Sequence, residues 1–373
     1  MHAKNILHLG VKEFWSLARD PMMLILIAYA FTASIYSTAS ALPDSLHNAP
    51  IAIVDEDQSA LSQRVVNAFQ PPLFVSPKLV TAGEMDARMD AGLDTFALNI
   101  PPNFQQDVLA GRSPRVQLNT DATRVGQAFS GSAYVQTIVN GEVQTFLQRY
   151  RANTKAPVDV EERLRFNPNL IRSRFGAVVA LIDMITMLSV LLTGAALIRE
   201  RERGTVEHLL VMPVTPFEIM TSKIWSMGLV VLIASAVSMV FVVEGLLKVP
   251  IQGSRALFLC GAALHIVAAT SLGMFLATFA RTMPQFALLM IMVLLPLQML
   301  SGGLTPRESM PEWVQQIMLG APTTHIVMLS QGILFRGADM SAVWPQFLAL
   351  ALIGCALFAV ALIRFRRTIG SMG

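Results

Sequence analysis

From Arg199 to His208 the chain reads RERERGTVEH, three arginines interleaved with glutamates at the end of a long apolar run. Such a run can form charge-assisted hydrogen bonds with the surface of another protein, or can be merely a positive-inside stop with a tight turn. Covalent chemistry finds little support. The six lysines follow Ala, Val, Pro, Thr, Ser and Leu, so no Gly-Lys pair exists and a phosphate-binding P-loop is excluded. H-E-x-x-H, CxxC and G-x-S-x-G are also absent from the sequence. The acidic turn VDEDQS, Val54 to Ser59, has the residue types of a calcium or magnesium site. Three adjacent acids after a strand read more simply as a solvated turn capping the next helix, and no metal is expected. Two ionisable residues interrupt apolar runs. From the helical rise, Asp183 sits about 12 Å from the start of its run and His265 about 14 Å from the start of its own. They are candidates for a substrate pathway or for an interhelical polar pair, because ionisable groups at such depth are costly. Glu244 is of less interest, since Lys248 follows it at i+4.

These residues must be positioned by membrane helices. Of 373 residues 53% are hydrophobic and 14% charged, far from the roughly 25% charged of soluble domains. Near-uncharged runs of about 20 residues give six spans: Met22 to Leu42, Phe175 to Ile198, Ile224 to Leu247, Ala256 to Ala280, Pro284 to Leu304 and Ala342 to Ile363. The expected fold is a polytopic α-helical membrane protein with six transmembrane helices and an α/β periplasmic domain inserted between the first and second. With the N-terminus inside, the inner segments hold eleven lysines and arginines and the short outer loops four, so both termini are expected in the cytoplasm. Trp15 and Trp225 then fall at inner span ends, Trp313 and Trp344 at outer ones. The net charge of +3 reflects topology and not a nucleic-acid footprint.

Residues 1–21 carry Glu13 and Asp20 and place Val11, Phe14, Trp15 and Ala18 on one helical face, the pattern of an interfacial amphipathic helix. Those flanks favour a retained anchor at 22–42 over a cleaved signal peptide, despite the A-x-A-like STASA. Residues 43–174 alternate strands and helices: IAIVDED, SALSQRVVNAF, LFVSPKLV, AGEMDARMDAG, TFALNI, NFQQDVLAG, RVQLNT, a long helical tract from Val125 to Tyr150, and VDVEERLRF as an edge strand. No cysteine lies there; Cys260 and Cys355 sit in spans as apolar filler. Residues 175–373 form a five-span domain with an inner loop at 199–223 and short outer helices at 311–335.

Within that loop Gly204 permits a turn and Thr205 can cap a short helix whose stripe is Val206, Leu209 and Leu210. Thr215, Pro216 and Glu218 form a capping box opening the third span. Topology alone asks for no glutamates, and two structured helices exceed what a turn requires. RERERGTVEHLLVMPVTPFEIMTSK resembles the signature loop of type-2 ABC exporter permeases, and FNPNL, SGGLTPRESMPEWVQQI and APTTH resemble the subgroup with a large extracytoplasmic domain after the first span.

The resemblance implies a permease subunit in the bacterial inner membrane, moving a lipophilic or drug-like substrate outward. It implies a dimer with a second, identical or similar permease, and an ABC ATPase subunit that binds ATP and Mg, with no cofactor on this chain. A periplasmic adaptor is a further expected partner. The coupling contacts would be Arg199, Glu200, Arg201, Glu202, Gly204, Thr205, Glu207, His208, Leu209 and Leu210. PEWVQQIMLG and TTHIVMLSQGILF would dip back from the outer face between the last two spans. The rival reading is a non-transporting anchor displaying its periplasmic domain as a receptor or assembly platform, which needs no lever. An ion-coupled secondary transporter would show internal repeats, and none is visible.

Overall fold

The computed structural model describes residues 3–40, 46, 48–121, 125–150, 172–202 and 214–370. The chain divides into two compact units, Pro43–Ile171 and the remainder. Two helices open it: α1 (Ala3–Ala18) and α2 (Pro21–Ser40). Asp20 starts α2 by accepting the amide of Met23 at 3.2 Å, with Pro21 in the first turn.

The Pro43–Ile171 unit runs β1 (Ile51–Asp55), α3 (Ala60–Ala68), β2 (Lys78–Leu79), α4 (Ala82–Asp90), β3 (Phe96–Ile100), α5 (Phe104–Leu109), β4 (Gln117–Thr120) and α6 (Val125–Tyr150). The sheet order is β2-β1-β3-β4, parallel except for the antiparallel β3–β4 pair. Period-two alternation sorts side chains onto the two faces. Ile51, Ile53, Phe96 and Leu98 join one core with residues of α3, α5 and α6; Ala52, Val54 and Ala97 join a smaller one with Met85 of α4. LFVSPKLV is a correction to the sequence reading: only the isolated bridge Ala49–Phe74 and the two residues of β2 pair there. Pro77, inside the stretch, removes an amide that a continuous ladder needs. The edge strand expected in VDVEERLRF lies outside the described residues. The acidic turn caps helices: Asp55 accepts the amides of Asp57 and Gln58, and Asp57 accepts that of Gln105 near the start of α5.

The other unit continues with α7 (Arg172–Glu202), α8 (Pro216–Leu246), α9 (Arg255–Ala277), α10 (Met283–Met299), α11 (Glu312–Met318), α12 (Pro322–Phe335) and α13 (Met340–Gly370). Among the described residues α2, α7, α8, α9 and α13 are long and apolar enough to cross a membrane. The expected fifth span is shorter than the sequence suggests. Its helix α10 has 17 residues, about 25 Å against a hydrocarbon core of about 30 Å. Helices α11 and α12 meet at 92°, a broken or re-entrant element. Helix α8 starts at the expected capping box: Thr215 and Glu218 exchange hydrogen bonds and Pro216 follows.

Helix α7 is buried along most of its length, with α9 against it at close range. A Cβ on Gly273 of α9 would stand 2.5 Å from the Val190 carbonyl oxygen of α7, so only glycine allows this approach. Two expectations are revised. Cys260 and Cys355 are exposed on their helices instead of filling the core. Glu244 pairs with Arg255 at 2.7 Å and not with Lys248, because α8 stops at Leu246 and Lys248 takes a left-handed backbone. On α1, Val11 and Trp15 are exposed, while Gly10, Glu13 and Leu17 face the bundle. Trp225 lies against α1, its indole N–H donating to the Ile6 carbonyl at 3.2 Å.

Candidate functional site

The last turn of α7 carries four successive charged residues. Consecutive residues on a helix are rotated by about 100°, so four of them survey the whole circumference. Each reaches a different neighbour. Arg199 donates to the Asp20 carboxylate at 3.0 Å, at the start of α2. Glu200 meets the Lys223 ammonium of α8 at 2.8 Å. Arg201 donates to the carbonyl of Ala277, the last residue of α9, at 3.2 Å and to that of Ala280, just beyond it, at 2.8 Å. Glu202 accepts the amide of Met283 at 3.0 Å, the first residue of α10.

The signs suit the partners. The last carbonyls of a helix lack intrahelical donors and sit at its negative end, where a guanidinium is favoured; the first amides sit at the positive end, where a carboxylate is favoured. Lys223 goes further. Its side chain is 2% exposed and also meets Glu13 of α1 at 2.8 Å, so one buried ammonium joins three helices. A pair this buried depends on its geometry, and removing one member strands the others.

Sequence reasoning named Arg199, Glu200, Arg201 and Glu202 as contacts to an ATPase; in the structure these four side chains engage other parts of this chain. Gly204, Thr205, Glu207, His208, Leu209 and Leu210 lie outside the described residues. It missed the partners Glu13, Asp20 and Lys223. The sequence did hold a signal for Lys223: the box at Thr215 to Glu218 starts the helix two turns before Ile224, which puts Lys223 inside it.

The first half of α7 lines a cavity of about 1170 Å³, shared with the segment after α10, α12 and the start of α13. Asp183 faces it, and among the described residues no hydrogen bond or ion pair reaches its carboxylate; only its backbone carbonyl is engaged, by Gln298 at 3.3 Å. Arg307 lines the same cavity, a residue that sequence reasoning counted only as an outer-loop charge. Its guanidinium donates at 3.3 Å to the Met328 sulfur and at 3.5 Å to the Gln315 carbonyl, and its Nε has no partner. His265 is fully buried in α9, with Nε2 2.8 Å from the Thr186 hydroxyl of α7. The interhelical polar contact therefore joins His265 to Thr186, one turn beyond Asp183, and not to Asp183 itself.

Comparison with known proteins sets these features in context. Residues 21–363 match the family described as ABC-2 family transporter protein. The chain is 62% identical over 371 residues to the inner membrane transport permease YhhJ of Escherichia coli K12, covering 100% of this chain and 99% of that one. It is 26% identical over 361 residues to the probable multidrug ABC transporter permease YbhR of the same organism, covering 96% and 97%. A more distant relative is ABC transporter G family member 20 of Dictyostelium discoideum, 22% identical over 360 residues and matched over 49% of its length.

Proposed function

The chain belongs to the ABC-2 family of transporter permeases, and from that premise we propose that it is the membrane subunit of an ATP-driven exporter. Two permeases, identical or similar, would form the pathway, and separate ATPase subunits would drive it from the cytoplasmic face. The observation that carries this reading is the end of α7. The segment 203–213 leaves directly from a turn whose four charged residues hold α2, α8, α9 and α10. A force applied to that segment is therefore delivered to four helices at once, as a lever worked by another protein requires. A display platform has no use for such a device.

The bacterial inner membrane is the proposed location, supported by the name of the 62% identical relative and by the excess of basic residues in the inner segments. That same bias supports a periplasmic position for the Pro43–Ile171 unit, where an adaptor protein could meet it. A lipophilic or drug-like substrate is supported by the printed name of the 26% identical relative.

The test is charge reversal within the segment 203–213. Glu207→Lys in the full chain, co-expressed with its ATPase, should reduce co-purification of that subunit and abolish substrate-stimulated ATP hydrolysis, while yield in the membrane stays normal. Insertion survives because acids weigh little in the topology rule. Unchanged co-purification together with unchanged stimulation would remove the lever from the account.

A further inference from the structure

The cavity beside the first half of α7 contains a combination that membrane helices rarely tolerate without a partner. Asp183 contributes a carboxylate that no described residue engages, although a charge in an apolar helix normally finds a counter-ion. Among the described residues, the Arg307 guanidinium is held only by a thioether and one long contact to a carbonyl, with Nε unpartnered. Both line one cavity, yet they form no ion pair with each other among the described residues. Gln346 adds a buried amide oxygen, also without a partner. Between these groups the walls are apolar, with Val179, Val327 and Met328 among them. Arg336 and Glu308, which also line the cavity, are exposed.

A ligand with one charge would satisfy either Asp183 or Arg307 and leave the other bare. A ligand with both charges would satisfy the two, and an apolar body would fill the remaining volume. We propose that this cavity binds a zwitterionic amphiphile, its cationic group on Asp183, its anionic group on Arg307 and its apolar part along Val179, Val327 and Met328. The volume is ample for a molecule of drug size. The assignment deepens the exporter reading by naming a substrate class, and it rests on that reading for the ligand's fate though not for its binding. Two sources share the chemistry, the headgroup of a zwitterionic bilayer lipid and a soluble zwitterion.

The experiment uses the purified full chain in nanodiscs of phosphatidylglycerol, titrated calorimetrically with three probes of equal tail: hexylphosphocholine, hexyltrimethylammonium and hexyl phosphate. Hexylphosphocholine should bind about tenfold or more tighter than either singly charged probe, the range expected for one charged hydrogen-bonded contact. Asp183→Asn should lower it to the level of hexyl phosphate, and Arg307→Gln to that of hexyltrimethylammonium. Leu304→Trp, which adds bulk at an exposed position on the cavity wall, should weaken all three.

Equal binding of the three probes, or a zwitterion preference that survives both charge removals, overturns the proposal. If one charge variant is lost to misfolding, the other still tests the zwitterion preference, and the ranking of the three probes on the unaltered chain tests it without any variant. Repetition in phosphatidylethanolamine nanodiscs separates the sources: a lost signal identifies bilayer lipid as the occupant, and an unchanged one identifies a soluble zwitterion. Since no ATPase is present, failure of binding leaves the exporter reading standing. Conversely, binding without ATP-driven movement in the assembled complex would sink the exporter reading alone.

Discussion

The two ends of α7 treat charge in opposite ways. At its last turn every charged side chain is matched to another helix, and Lys223 is almost completely enclosed by its two glutamates. In its first half Asp183 faces a cavity, and among the described residues its carboxylate has no partner. Both arrangements sit on one continuous helix of 31 residues. The difference separates two uses of ionisable groups in a membrane protein. Satisfied charges fix helices to one another and transmit displacement; an unsatisfied one leaves a valence for something that comes and goes.

The largest expected effect probes the satisfied end. Lys223→Met leaves Glu13 and Glu200 buried without their ammonium, which should cost roughly 3 to 5 kcal/mol. The folded yield and the melting temperature of the purified chain should fall sharply. Adding Glu13→Leu and Glu200→Leu to the same variant should recover most of the loss, because an apolar replacement of a whole buried cluster is often neutral or better. A triple variant as unstable as the single one would show that the packing of the lysine stem, not the stranded acids, governs this end.

Next in size is the close approach that holds α7 to α9. Gly273→Leu forces a side chain against the Val190 carbonyl, a backbone atom that cannot swing aside, and overpacking of this kind costs about 1 to 3 kcal/mol. It should lower the melting temperature without changing which charges pair. Asp183→Asn should go the other way, leaving the melting temperature unchanged or raising it, since no partner is lost and a buried charge is removed. A fall comparable to that of Lys223→Met would erase the contrast between the two ends.

Why one end was legible in the sequence and the other was not follows from the signals each leaves. The alternation in IAIVDED and TFALNI, the box at Thr215 to Glu218 and the long apolar runs are local patterns, and each produced the expected element except the run at Pro284 to Leu304, which gave only the 17-residue α10. Lys223 was misjudged because the apolar run begins after it while the helix begins before it. The outward positions of Cys260 and Cys355 were unreadable for a different reason. In water an apolar face turns inward, but a helix in lipid is apolar on both sides, so periodicity cannot say which side meets the bundle. The cavity was half visible: Asp183 stood out as a charge in an apolar run, whereas Arg307 lay in a loop and acquired meaning only when α12 and α13 closed around it.

Arg199→Gln should have a smaller effect. The Arg199–Asp20 pair is partly exposed, with side chains 22% and 32% accessible, and such pairs contribute about 0.2 to 1 kcal/mol. Raising the salt concentration should shrink the difference from wild type further. The difference for Lys223→Met should be indifferent to salt, because its partners are enclosed. Equal salt sensitivity at both positions would mean that the Lys223 cluster is open to water, against its burial.

The smallest effect lies outside the bundle and isolates pairing from burial. Glu84, in the first turn of α4, accepts the backbone amide and the hydroxyl of Thr81, each at 3.0 Å. Those hydrogen bonds, the backbone one foremost, hold its pKa below the ordinary glutamate value. A carboxylate with a lowered folded pKa contributes stability that is fully present above its unfolded pKa, about 4.3 for glutamate. The contribution is lost as the pH falls from there through the folded value. Glu84→Gln keeps the geometry and removes the charge, so wild type should melt slightly higher than the variant at neutral pH, and the gap should close as the pH drops below about 4. The gap should stay small at every pH because this side chain stands in water, where satisfied charge is worth little. A gap as large as that of Lys223→Met would show that pairing alone, without burial, sets the strength of these contacts, and the contrast between the two ends of α7 would then need another cause.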